Sequence, residues 1–164
     1  GGFRRSELAG LKLDDLVFER RGVVVEVRRS KTDQEGHGRV LGIPRGKHAD
    51  LCAVRALRAW LRRRGSAPGP VFCQVDGDGR PQPAERIDGA VVRERVRRAA
   101  AIAGVDVAGL AAHSLRAGCV TAAARAGAPV AAIMARTGHR SIGTVMQYVR
   151  PASAFDLDPL RGVL

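Results

Sequence analysis

An α+β fold, mostly helical with a small antiparallel sheet on one side, is predicted by three observations. β-rich runs cluster early in the chain, helix-period apolar patterns with caps and glycine stops fill its later part, and no repeat or long linker interrupts them. The opening GGFRRSELAGL starts inside an element, with Ser6 placed to cap a short helix. LVFERRGVVVEVRRSKT holds two β-rich runs about Arg21-Gly22, the pattern of a hairpin. GRVLGIP supplies a third strand beyond the polar loop SKTDQEGHG. HADLCAVRALRAWLRRRG reads as a helix with Leu51, Val54, Leu57 and Leu61 on one stripe and Gly65 as its stop. SAPGP and DGDGRPQP are turns on either side of a short strand, VFCQV. DGAVVRERVRRAAAIAGV is a helix capped by Asp88 and ended by Gly104. HSLRAGCVTAAARAG, PVAAIMARTG with Pro129 in its first turn, and SIGTVMQYV complete the helices.

The chain has 164 residues, of which 45% are hydrophobic, enough for one folded domain with a core. No apolar run approaches the roughly 20 residues of a membrane helix, and no signal-peptide pattern is present. Cys52, Cys73 and Cys119 are odd in number and form no CxxC pair, which argues for a reducing, cytoplasmic compartment and against a disulfide framework or zinc ribbon. The formal net charge is +12, from 28 Lys plus Arg against 16 Asp plus Glu. Such a surplus favours a polyanionic partner through counterion release. A chain this rich in Ala, Arg and Gly also carries arginine by compositional bias. Only Lys12, Lys31 and Lys47 are lysines, and a lysine kept among so many arginines suggests a use for a titratable ammonium.

Several residues carry potential chemistry. Arg4 and Arg5 stand near the start, His113 and Arg116 are spaced to share a helix face, and His139 follows Gly138 between two helices. Tyr148, the only tyrosine, lies nine positions further on. Each taken alone is better explained as surface charge or packing. Together they suit one reaction. A phosphodiester attacked by oxygen gathers charge on its non-bridging oxygens, which two guanidiniums can meet with paired hydrogen bonds. A phenol, with a pKa near ~10, needs cationic neighbours or a base to attack at neutral pH. A departing 5′ oxygen needs a proton, which lysine can supply and arginine cannot readily.

GFRRSEL, SKTDQ, HSLRAG and TGHRSIGTVMQYV resemble the successive boxes of the tyrosine recombinases, or phage integrase family. The resemblance runs from Gly2 to about Pro151, and the boxes follow in family order, with 23 positions from Arg116 to His139 and nine more to Tyr148. It implies that Arg4 is the first catalytic arginine, with Glu7 as the supporting acid, and that Lys31 is the general acid on a β-hairpin loop. His113 and Arg116 match the histidine and second arginine, His139 the later histidine that donates to the phosphate, and Tyr148 the nucleophile. Arg5 sits where the family more often has an apolar residue; Glu7 and Leu8 fix the frame that assigns the role to Arg4. The implied reaction needs no metal, ATP or other cofactor. Its partner is double-stranded DNA, cleaved through a 3′-phosphotyrosyl link and exchanged through a Holliday junction by a tetramer of the intact protein, in the nucleoid and not at a membrane.

By the same resemblance, residues 1–164 form the catalytic domain without the N-terminal clamping domain and without the first catalytic helix. Such a piece is expected to bind DNA weakly and to recombine little by itself. The tail PASAFDLDPLRGVL, from Pro151 to Leu164, either packs on its own domain or docks into a neighbouring protomer. Two other functions fit the sequence: a type IB topoisomerase, with a similar residue set, and a DNA-binding module without catalysis. A metal site built from His113, His139 and Cys119 lacks the spacing typical of zinc.

Overall fold

In the segment GVVVEV, Val23, Val25 and Val27 are buried while Glu26 between them is exposed, the two-residue period of a strand with one face on a core. A computed structural model, which describes residues 1–28, 38–110 and 113–148, makes this segment β2 (Gly22–Val27). It lies centrally in an antiparallel sheet between β1 (Leu16–Glu19) and β3 (Arg39–Pro44). Glu19 pairs with Gly22, so the expected hairpin forms, with Arg20 and Arg21 as its two-residue loop, one position earlier than the Arg21-Gly22 turn the sequence suggests.

The chain divides into two compact units, residues 3–114 with Gly1 and residues 115 onward with Gly2. The first holds that sheet and the helices α1 (Arg5–Gly10), α2 (Ala53–Arg64) and α3 (Gly89–Ile102). A second, two-stranded sheet pairs β4 (Cys73–Val75) with β5 (Pro81–Arg86). Leu11, Val23, Val25, Cys52, Val54 and Val71 form the core, with Phe3, Phe18, Leu57 and Leu61 packed against it. Each buried valine contributes roughly 1.5–3 kcal/mol. Trp60 on α2 donates its indole N–H to the carbonyl of Val71 at 2.7 Å, tying the helix to the bend before β4, which starts at Cys73 and is shorter than the predicted VFCQV strand.

Three expectations change here. Ser6 lies inside α1; Arg4 is the capping position, and its backbone N–H is satisfied by the carboxylate of Glu7 at 2.7 Å. Leu51 leaves the predicted stripe, being 82% exposed in a 3₁₀ turn (Ala49–Leu51) that precedes α2. The string DGDGRPQP is more than a turn, because its end begins β5. Asp76 Oδ1 accepts from the backbone N–H groups of Asp78 and Arg80 and closes the hairpin, after which Pro81 and Pro83 sit on a sheet so small that both strands are edges. Asp88 caps α3 as expected, accepting from Ala90 N at 2.8 Å and Val91 N at 2.9 Å, and Gly104 follows the helix with φ +71°.

The second unit is helical: α4 (Ser114–Arg125) from Leu115 on, α5 (Val130–Thr137) and α6 (Ile142–Met146). Val120, Ile133 and Val145, one from each helix, make its core. Pro129 is the N-cap of α5. Tyr148 falls in the turn after α6, not on the helix as expected. The observed class is α+β, about half helical with small antiparallel sheets. No helix among the described residues is long and apolar enough to cross a membrane. Lys31 and the tail of residues 151–164 lie outside the described residues.

Candidate active site

In the first unit, the sequence RRSEL places Glu7 three positions after Arg4, one turn along α1. The Glu7 side chain is fully buried, and its two oxygens accept four hydrogen bonds. Oε2 receives the backbone N–H of Arg4 at 2.7 Å and Arg39 Nη2 at 2.7 Å; Oε1 receives Arg4 Nη1 at 2.8 Å and Arg39 Nη1 at 2.9 Å. Burial would raise the carboxyl's pKa, but the bonds from Arg39, from the Arg4 backbone and from the Arg4 side chain, with the charge of Arg39, outweigh it and hold Glu7 below its ordinary value. Two guanidiniums around one carboxylate leave the cluster with a net positive charge.

Arg39 was not among the sequence candidates. It opens β3 and shares a face with Leu41 and Ile43 by the two-residue period, an inward place that an arginine holds only with a carboxylate partner. That alternation was the available signal. Arg5, the rival of Arg4 in the sequence frame, donates from Nη1 to the carbonyl of Gly89 at 3.2 Å and so ties α1 to α3.

The second unit brings Arg116, His139 and Tyr148 together. Arg116 on α4 is 6% exposed. Its Nη1 donates to the carbonyl of Gly2 at 2.6 Å, and its Nη2 lies 3.1 Å from Nε2 of His139. Gly2 has φ +74°, and a Cβ there would stand 3.0 Å from Thr137 Cγ2, so this carbonyl is presented by a backbone that only glycine fits easily. His139 reaches its place because Gly138 ends α5 in the left-handed conformation, φ 66° and ψ 40°, with its N–H bonded to the carbonyl of Met134. The His139 and Tyr148 rings lie 6.2 Å apart, tilted by 32°. Tyr148 packs against the Val120, Ile133 and Val145 cluster. Its backbone N–H donates to Val145 O at 3.0 Å, and its carbonyl accepts from Thr121 Oγ1 at 3.0 Å.

His113 departs from the shared helix face that the sequence suggests. It stands just ahead of α4 and is exposed, whereas Arg116 is buried. Lys31 belongs to the connection between β2 and β3, outside the described residues.

A chain with a guanidinium, an imidazole and a phenol in one cluster, and a carboxylate-braced arginine in the other unit, carries groups suited to a phosphodiester. The phage integrase family model matches residues 1–154. An integrase/recombinase xerD homolog of Selenomonas ruminantium is 36% identical over 158 residues, covering 94% of this chain and 45% of the relative. A tyrosine recombinase XerC of Corynebacterium efficiens is 34% identical over 163 residues, covering 98% of this chain and 46% of the relative. The chain belongs to the phage integrase family. It spans about half the length of the curated relatives it matches. Among solved structures, XerA recombinase superposes with a TM-score of 0.68 at 24% identity, over 99% of this chain and 51% of that one. XerH recombinase bound to a palindromic difH substrate, a post-cleavage complex, gives 0.67 at 20%, over 99% and 41%. Both likenesses are of fold.

Proposed function

We propose that the intact protein is a site-specific DNA recombinase and that this chain carries its catalytic residues. The observation that carries the reading is the cluster of Arg116, His139 and Tyr148, met in the order and spacing of the family boxes. The phenol oxygen of Tyr148 attacks phosphorus while the bond from phosphorus to the 5′ oxygen breaks. The phenol proton passes to solvent, and Lys31 gives the departing 5′ oxygen its proton. Arg4 and Arg116 neutralise the charge that grows on the non-bridging oxygens, with His113 and His139 as further hydrogen-bond partners. Support for Arg4 over Arg5 comes from the Glu7 brace on one and the Gly89 carbonyl bond on the other.

The 3′-phosphotyrosyl link conserves the energy of the phosphodiester. A 5′ hydroxyl of a partner duplex reverses the attack, first one strand pair exchanges and then the second, through a Holliday junction on a tetramer. The residues supply the charge and the proton without a metal or nucleotide. DNA as the partner is supported by the XerH relative of this fold, solved bound to its difH substrate. Its place is with the chromosome in the cytoplasm.

Nicked suicide duplexes taken from the DNA that flanks the gene test this in the intact protein. A covalent protein–DNA adduct is expected from the wild type and none from Tyr148→Phe, with duplex binding unchanged. An adduct formed by Tyr148→Phe overturns the nucleophile. Plasmid relaxation without exchange between paired sites favours a topoisomerase, and binding without any adduct favours a module that has no catalysis.

A further inference from the structure

Thr137 closes α5 and is 1% exposed. Its hydroxyl lies 2.6 Å from the carbonyl oxygen of Ile133 and 2.7 Å from Nδ1 of His139. A hydroxyl has one proton, and a carbonyl oxygen only accepts, so that proton goes to Ile133. The hydroxyl oxygen is then an acceptor, and Nδ1 of His139 must carry the hydrogen. At the other edge of the ring, Nε2 lies 3.1 Å from Nη2 of Arg116. A guanidinium only donates, so Nε2 must present a lone pair. Two constraints from opposite edges give one neutral tautomer, protonated at Nδ1.

We propose that Thr137 is a positioning residue that sets this tautomer, and that the Nε2 lone pair so presented orients the guanidinium of Arg116. The inference rests on the reading that Arg116 and His139 serve a scissile phosphate. With Nη1 on the Gly2 carbonyl and Nη2 on His139, the guanidinium is aligned before substrate arrives, and less ordering remains for the reaction. The other tautomer would set an N–H of the ring against an N–H of Arg116, and the pair would part. From the tautomer described, His139 donates to a phosphate through Nε2 only after taking a proton from solvent. The bond from Nδ1–H to Thr137 serves both forms, which is why a hydroxyl fits this place better than a group that only donates.

Nitrogen NMR of the chain labelled with ¹⁵N-histidine tests the assignment in buffer alkaline enough to keep histidine neutral. The His139 signals are identified by their loss in His139→Gln. Thr137→Val keeps the shape and removes the hydroxyl; Thr137→Ser keeps the hydroxyl and removes the methyl. The wild type and Thr137→Ser are expected to hold the proton on Nδ1, and Thr137→Val to move it wholly or partly to Nε2. A wild-type proton on Nε2, or an Nδ1 proton retained in Thr137→Val, overturns the proposal. A packing role alone would disturb the ring in Thr137→Ser and spare it in Thr137→Val. If Thr137→Val does not fold, the wild type and Thr137→Ser still decide. The readout needs no DNA, so its failure and a missing covalent adduct are separate results.

Discussion

Glu7 is a buried carboxylate whose hydrogen-bonding capacity is filled by two arginines, and that gives it a measurable signature. Its folded-state pKa lies below the ordinary value of 4.5, so its stabilisation is complete above that pH and is lost as pH falls through the lowered value. Thermal unfolding from pH 7 downward should show the gap between wild type and Glu7→Gln narrowing below that ordinary value. A constant gap would mean that the charge of Glu7 contributes nothing. Arg39→Ala should cost about 3 kcal/mol by urea unfolding, since it leaves the carboxylate with half its donors, and should move the acid loss to higher pH. Little of this was legible in the sequence. Glu7 and Arg4 are neighbours on one helical turn, but Arg39 meets them only after the β2–β3 pairing has fixed its register, and no local pattern reports a partner 32 residues away.

Elements were legible where a local rule decided them. The valine alternation of β2 and the Asp88 cap of α3 needed only short-range chemistry. β5 was hidden because prolines usually speak against a strand, and only its pairing with β4 shows that both are edges. The boundary of α6 was misread for a similar reason: SIGTVMQYV has helical spacing throughout, yet the helix stops at Met146 and leaves Tyr148 in a turn. Gly138 was visible as a stop signal, and its left-handed backbone now has a consequence for stability. Gly138→Ala should lower stability by about 1 kcal/mol, and Gly138→Asn by less, because asparagine tolerates that conformation better. Chemical unfolding of the two variants checks the order; equal losses would mean that the turn relaxes elsewhere.

At the scale of the whole molecule, the +12 charge overstates what a partner meets. Arg64 and Arg116 are buried, and Arg39 is committed to Glu7. Arg64 lies among the carbonyls of Gly65, Ala67 and Pro70, where it shapes the loop after α2. The exposed surplus includes Arg55, Arg58, Arg62 and Arg63 on α2 and Arg93, Arg95, Arg97 and Arg98 on α3. If duplex binding neutralises about six phosphates, log affinity should fall with log salt at a slope of about −5. Titration across a salt series measures it, and a slope near zero would assign the basic surface to composition alone. The family boxes made the site's local pieces readable, since each box is short. Their braces, Arg39, Thr137 and the Gly2 carbonyl, depend on contacts that a string of letters does not display.

Tyr148 is anchored by its main chain, between Val145 and Thr121, and by packing against an apolar cluster. Those anchors differ from the atom that would become bonded to DNA. Esterifying the phenol therefore need not unfasten the segment that carries it. Under the proposed mechanism the domain would stay assembled while one of its own side chains served as a temporary strand end, with the same seat waiting when the phenol was released.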